Sequence, residues 1–229
     1  MRVLALAVLI VALLGCAGGR LEREAPSGAS LAGGWRLNRA ASDDPQKLMD
    51  GLRSNFIKRM RARSNAEPIQ DSAPGARRAG QRAQDPTRAN YQEDPLMQRG
   101  FDPVAHLPAL QILNAQVARS DFLTVRQDPE ELTLDYGGLV RSFTPGAHSV
   151  VSTQAGVADQ ESGWRGKAYV IRVKPQVGPT STEEYALSDD GAHLVVKLHA
   201  AASELPAVDL KRVYDRTAEI SPRSLPTTD

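Results

Sequence analysis

The sequence predicts a mainly β protein: an antiparallel meander rolled into a barrel or half-barrel, with one or two helices packed on it. Three observations carry this reading. From Asp121 onward, eight short stretches alternate or are dense in branched residues: "FLTVRQ", "ELTLDY", "LVRSF", "HSVVST", "KAYVIRV", "TEEYALS", "AHLVVKLH" and "VDLKRVYD". The links between them carry tight-turn residues, namely Gly137-Gly138, Pro145-Gly146 and Asp189-Asp190-Gly191. Upstream, two stretches show helical spacing instead.

The chain starts with Arg2 and an unbroken apolar run from Val3 to Leu14. Twelve residues are too few to cross a bilayer as a helix, which needs about 20. The run fits the hydrophobic region of a secretory signal, and small residues follow it at Gly15, Ala17, Gly18 and Gly19. Cys16, the single cysteine of the 229 residues, stands among them. Leu13-Leu14-Gly15-Cys16 resembles the lipobox of bacterial lipoproteins. That resemblance implies cleavage before Cys16 and acylation of its thiol and new amino group. With Ala17 rather than Asp after the Cys, it also implies sorting to the outer membrane, facing the periplasm. The sequence resembles small envelope lipoproteins in this respect, and the membrane would be its partner through the lipid on Cys16. Two or more acyl chains anchor stably where one is marginal.

The remaining elements follow in order. Residues 1–15 read as a signal peptide and residues 16–31, polar and small, as a lipidated tether. "LAGGWRLN" reads as a first strand with Trp35 and Leu37 on one face. Ser42, Asp43 or Asp44 can cap a helix that Pro45 begins, and Leu48, Leu52, Phe56 and Met60 form one apolar stripe along it. Its other faces carry Lys47, Arg53, Lys58, Arg59, Arg61 and Arg63, so it suits either docking on its own sheet or contact with anionic lipid. Residues 32–63 hold this strand and helix. Residues 64–100, with Pro68, Pro74, Pro86 and Pro95 and few apolar side chains, read as a disordered or loose linker. A second helix is expected from about Pro108 to Val117. The β domain spans 101–216 and is completed by 32–63, with 217–229 as a flexible tail.

Gly33-Gly34-Trp35 resembles the Gly-x-Trp start of lipocalins. There a Trp on the first strand plugs the closed end of the barrel, and a basic residue of the last strand packs across it. The resemblance implies that role for Arg212 or Arg216 in "LKRVYDR". The helical segment between the first and second strands departs from the usual lipocalin order and puts a closed calyx in doubt. Trp164 in "SGWRGKAY" reads either as an exposed binding aromatic or as a plug at a sheet rim.

Other chemistry is sparse. His193 and His199 share one face of one strand but lie roughly 20 Å apart, too far to share a metal ion, and no cysteine completes a zinc set. No nucleophile elbow or phosphate-cradling loop is present. Glu130-Glu131, Glu183-Glu184 and Asp189-Asp190 read as solvated charges. Without the leader and its Arg2, 27 basic and 27 acidic residues balance, which offers nucleic acid no global attraction. No cofactor, metal or enzymatic activity is expected. Two functions remain: a module binding a small apolar ligand or lipid in the concave face of the sheet, or a solid-cored envelope protein whose outer surface docks another protein. A cavity lined by Leu and Val side chains separates them.

Overall fold

The computed structural model describes residues 19–66, 107–153, 156–203 and 205–218. The expected signal peptide, Cys16, all but the start of the expected linker at 64–100 and the tail from 219 lie outside the described residues.

The first strand, β1 (Gly33–Leu37), is followed by two helices, α1 (Pro45–Ala66) and α2 (Pro108–Val117). Nine strands then follow: β2 (Phe122–Gln127), β3 (Leu132–Asp135), β4 (Val140–Phe143), β5 (His148–Thr153), β6 (Gly156–Arg165), β7 (Ala168–Pro175), β8 (Thr180–Leu187), β9 (His193–Ala201) and β10 (Val208–Thr217). All ten join one antiparallel sheet in the order β4-β3-β2-β1-β10-β9-β8-β7-β6-β5. Nine of these strands are the expected ones. The tenth, β6, was not expected.

The sheet must be curled. In a flat sheet β4 and β8 would stand six strand spacings apart, about 29 Å, yet Arg141 on β4 bonds Glu183 on β8 at 2.7 Å. β4 and β5, consecutive in the chain, are the two ends of the hydrogen-bonded order, so the barrel stays unzipped between them. The fold is therefore the half-barrel form of the expected meander.

One end of the curl is packed solid. Trp35, Tyr169, Tyr185 and Tyr214 meet Leu31, Leu123, Leu134 and Leu194 there, all fully buried. Trp164 is also buried, edge-on to Tyr169 with ring centroids 5.3 Å apart, so it is a core plug rather than an exposed aromatic. The expected tether takes part in this end. Leu21 and Leu31 are buried, and Glu22 exchanges two backbone hydrogen bonds of 2.8 Å with Trp164. Farther along, Leu31 N–H donates to Gln127 Oε1 at 2.8 Å. Residues 19–31 thus form a strap from β6 to β2 instead of a free tether, because two leucines spaced ten apart find apolar ground that a composition average conceals. Gly163 permits it, since a Cβ there would stand 2.6 Å from the Glu22 carbonyl oxygen.

The helices cover the other end. Asp44 caps α1 by accepting from the Gln46 and Lys47 N–H groups at 2.9 and 3.3 Å. Leu52 is buried, and Leu48, Met49, Phe56 and Ile57 pack beside it on Leu198, Leu210 and the buried face of α2. The stripe read as docking thus docks, while Lys58, Arg59, Arg61 and Arg63 stay exposed.

Candidate functional site

Trp35 lies at 0 % exposure, opposite Arg216 in the β1–β10 register. Its indole N–H donates to Leu31 C=O at 3.0 Å, and the Arg216 guanidinium sits 4.4 Å from the ring centroid. Gly33 makes room for that guanidinium. Its φ of +143° suits glycine, and a Cβ would stand 2.8 Å from Arg216 Nη1. Of the two candidate cations, Arg216 takes the role, and Arg212 does not. Arg212 is buried at the C-terminus of α2, where a cation is favoured, and donates to the Val117 carbonyl, which also accepts from the Arg119 N–H at 3.1 Å. Arg212 and Arg216 stand four residues apart on β10, about 13 Å along the strand, so only one could lie over the ring. Gly33, Trp35 and Arg216 thus form the closed end, and Arg212 holds a helix over the open end.

A cavity of about 820 Å³ opens between the β4 and β5 edges, beneath α2 and above the inner face of β8. Its apolar wall is Ile112, Leu139, Val140, Phe143, Val151 and Val173; its polar wall is Gln116, Arg119, Arg141, Ser181 and Glu183. Ligand sites combine these features within about 300–1,000 Å³.

The polar wall centres on Glu183, buried although it was expected as a solvated charge. Ser181, Glu183 and Tyr185 alternate inward along β8, and Glu184, facing outward, pairs with Arg165. Arg141 Nη1 donates to both Glu183 oxygens at 2.7 and 2.9 Å. The Tyr185 hydroxyl donates to Oε2. Having given its one proton there, it accepts from the Tyr136 hydroxyl at 2.9 Å. Arg119 stands 3.9 Å from Oε1 and 5.5 Å from the Tyr136 ring centroid.

These contacts set the protonation states. Burial pushes the Glu183 carboxyl up, but Arg141 and then Arg119 outweigh it and hold it below its ordinary value. Burial lowers the Arg141 guanidinium, and Glu183 more than reverses this. Burial and the Glu183 charge raise the Tyr136 and Tyr185 hydroxyls. The network is ionised at its centre and neutral at its tyrosines. It offers fixed charge beside an apolar wall.

The histidines lie elsewhere. His193 Nδ1 meets Asp215 and His199 Nδ1 meets Asp209, each at 2.7 Å, on the solvent side of the sheet. Among the described residues no three metal-ligating side chains converge, and no helix is long and apolar enough to cross a membrane.

No protein-family model and no curated protein sequence matches the chain. Solved structures do. A fatty acid-binding protein from brain tissue of Drosophila melanogaster aligns at 17 % identity and TM-score 0.34, over 46 % of this chain and 79 % of that one. Zebrafish ileal bile acid-binding protein, complexed with cholic acid, aligns at 17 % and 0.32, over 42 % and 72 %. A luciferase domain from the dinoflagellate Lingulodinium polyedrum aligns at 12 % and 0.43, over 93 % and 48 %. No residue's role is carried over from them.

Proposed function

We propose that the protein binds a small apolar or amphipathic molecule in the cavity under α2, and that it does so from a lipid anchor on Cys16 at the periplasmic face of the outer membrane. One observation carries the binding reading: the half-barrel is packed at its Trp35 end but holds about 820 Å³ of space at its helical end, with Ile, Leu and Val side chains on one wall and the Glu183 network on the other. This favours a binding module over a solid-cored docking protein. Access is built in, since the cavity lies along the unzipped β4–β5 gap, whose rim residues Leu139 and Val140 are exposed. The anchor rests on the lipobox-like Leu13-Leu14-Gly15-Cys16.

Native mass spectrometry of the protein isolated from its own membranes tests the reading, with a co-purifying small molecule expected. Ala115→Trp, on the exposed side of α2 at the cavity wall, should abolish that adduct without lowering the melting temperature. An Ala115→Trp protein that retains the molecule would refute the assigned site.

A further inference from the structure

The cavity wall is not electrically balanced. Arg119 and Arg141 face one carboxylate, Glu183, whose hydrogen bonds come from Arg141 and Tyr185 and not from Arg119. Arg212, the other buried cation, is committed to α2. That leaves Arg119. Its side chain is 11 % exposed and, among the described residues, it has a 3.9 Å ion pair and a ring contact but no hydrogen bond. A guanidinium carries five N–H donors, and leaving them unpaired out of water is costly. A second atom on the same wall is unsatisfied in the opposite sense. Gln116 Oε1 is buried without a partner, while its Nε2 is turned to Ser181 Oγ at 3.4 Å. Both residues, one with donors wanting an acceptor and one with a buried acceptor wanting a donor, line one cavity with an apolar far wall.

We propose that the ligand is an acyl-chain anion carrying a hydroxyl or amide N–H beside its charge, with the anion on Arg119 and the donor on Gln116 Oε1. This rests on the ligand-binding reading above and names the chemistry of its ligand. The charge neutralises the surplus cation. The neighbouring donor fills the one buried side-chain acceptor that lacks a partner among the described residues, and the chain lies against Ile112, Val151 and Val173. A plain carboxylate leaves Gln116 unsatisfied, an alcohol leaves Arg119 unsatisfied, and a cation is repelled.

The test is calorimetric titration of the purified, delipidated chain with 3-hydroxydodecanoate, N-decanoylglycine, dodecanoate, dodecanol and dodecyltrimethylammonium. The first two should bind about tenfold tighter than dodecanoate, the worth of one satisfied buried acceptor. Dodecanol should bind weaker still, and the ammonium not at all. Gln116→Leu should erase the preference over dodecanoate. Arg119→Gln should weaken every anion more than tenfold, and Arg119→Lys should keep the order of anions over alcohol. If dodecanol matches the anions, or if Gln116→Leu leaves the preference intact, this ligand chemistry is wrong although the cavity still binds. If none of the five binds, the cavity reading falls with it. The hydroxy and amide arms separate the two sources of the donor.

Discussion

Trp35→Ala should remove a large part of the protein's stability. A buried tryptophan withdraws about 150–250 Å² from water, and at about 25 cal/mol per Å² that is about 4–6 kcal/mol. Measured truncations of this kind run at about 3–5 kcal/mol because the site partly collapses. Here collapse is hindered, since the ring lies between β1, the strap at Leu31 and the Arg216 side chain. Trp35→Phe separates the parts. It keeps a ring beneath Arg216 but leaves the buried Leu31 carbonyl without its donor, a loss of about 1–3 kcal/mol. Arg216→Gln removes a cation that is itself exposed, for about 0.5–1 kcal/mol. Urea unfolding followed by fluorescence is available throughout, because Trp164 remains as reporter in the Trp35 variants. Against a total of about 5–15 kcal/mol, Trp35→Ala should move the midpoint far toward zero urea. A double-mutant cycle of Trp35→Ala with Arg216→Gln should return a coupling of about 0.5–1 kcal/mol. A cost below about 1 kcal/mol for Trp35→Ala would show that the ring is not a plug; zero coupling would show that Arg216 does not rest on it.

Three further outcomes are expected. Glu183→Gln should cost about 3–5 kcal/mol by leaving Arg141 and Arg119 buried without a carboxylate, and a midpoint within error of the parent would refute the network. Stability should fall at both ends of the pH scale. Glu183 titrates lower in the folded chain, so its contribution is whole above about pH 5 and fades as pH drops through the folded value; Tyr136, Tyr185 and Tyr214 titrate higher, so theirs is whole below about pH 9 and fades as pH climbs through theirs. A flat urea midpoint from pH 9 to 11.5 would contradict the alkaline limb. Cys16→Ser should release the protein from the membrane fraction and abolish palmitate labelling; retention with label would place the anchor elsewhere.

β2, β3 and β9 could be read from the sequence because their inward residues are largely apolar. β6 escaped because its inward positions are Ala158, Gln160, Ser162 and Trp164, small or polar except at the end. Ser162 is at home inside because the Tyr169 hydroxyl donates to it at 3.1 Å and it donates to Thr144 C=O at 3.3 Å, pairings that alternation of apolar residues does not reveal. Glu183 was half legible. Alternation with Tyr185 places it inside, but the cation that makes this tolerable lies 42 residues away on β4. Gly33 and Trp35 were legible as a motif, whereas the choice between Arg212 and Arg216 depends on where α2 ends in space.

β1 is the seam between two meanders, with β2 hydrogen-bonded on one side and β10 on the other. Its partner β10 is made long after it: Arg216 reaches the Ala32 carbonyl across 184 positions of chain. Closing a loop of that length costs about 3 kcal/mol more entropy than closing a four-residue hairpin. The hairpins of β5 to β10 are therefore expected to assemble first, and β1 to be stitched in afterwards. A chain still emerging from a ribosome or a translocation channel cannot complete the seam until the ten residues of β10 are through. Until then β2 and β9 are both raw sheet edges, open to a chaperone or to a neighbouring molecule. β10, the last strand among the described residues, is thus the timer for this sheet.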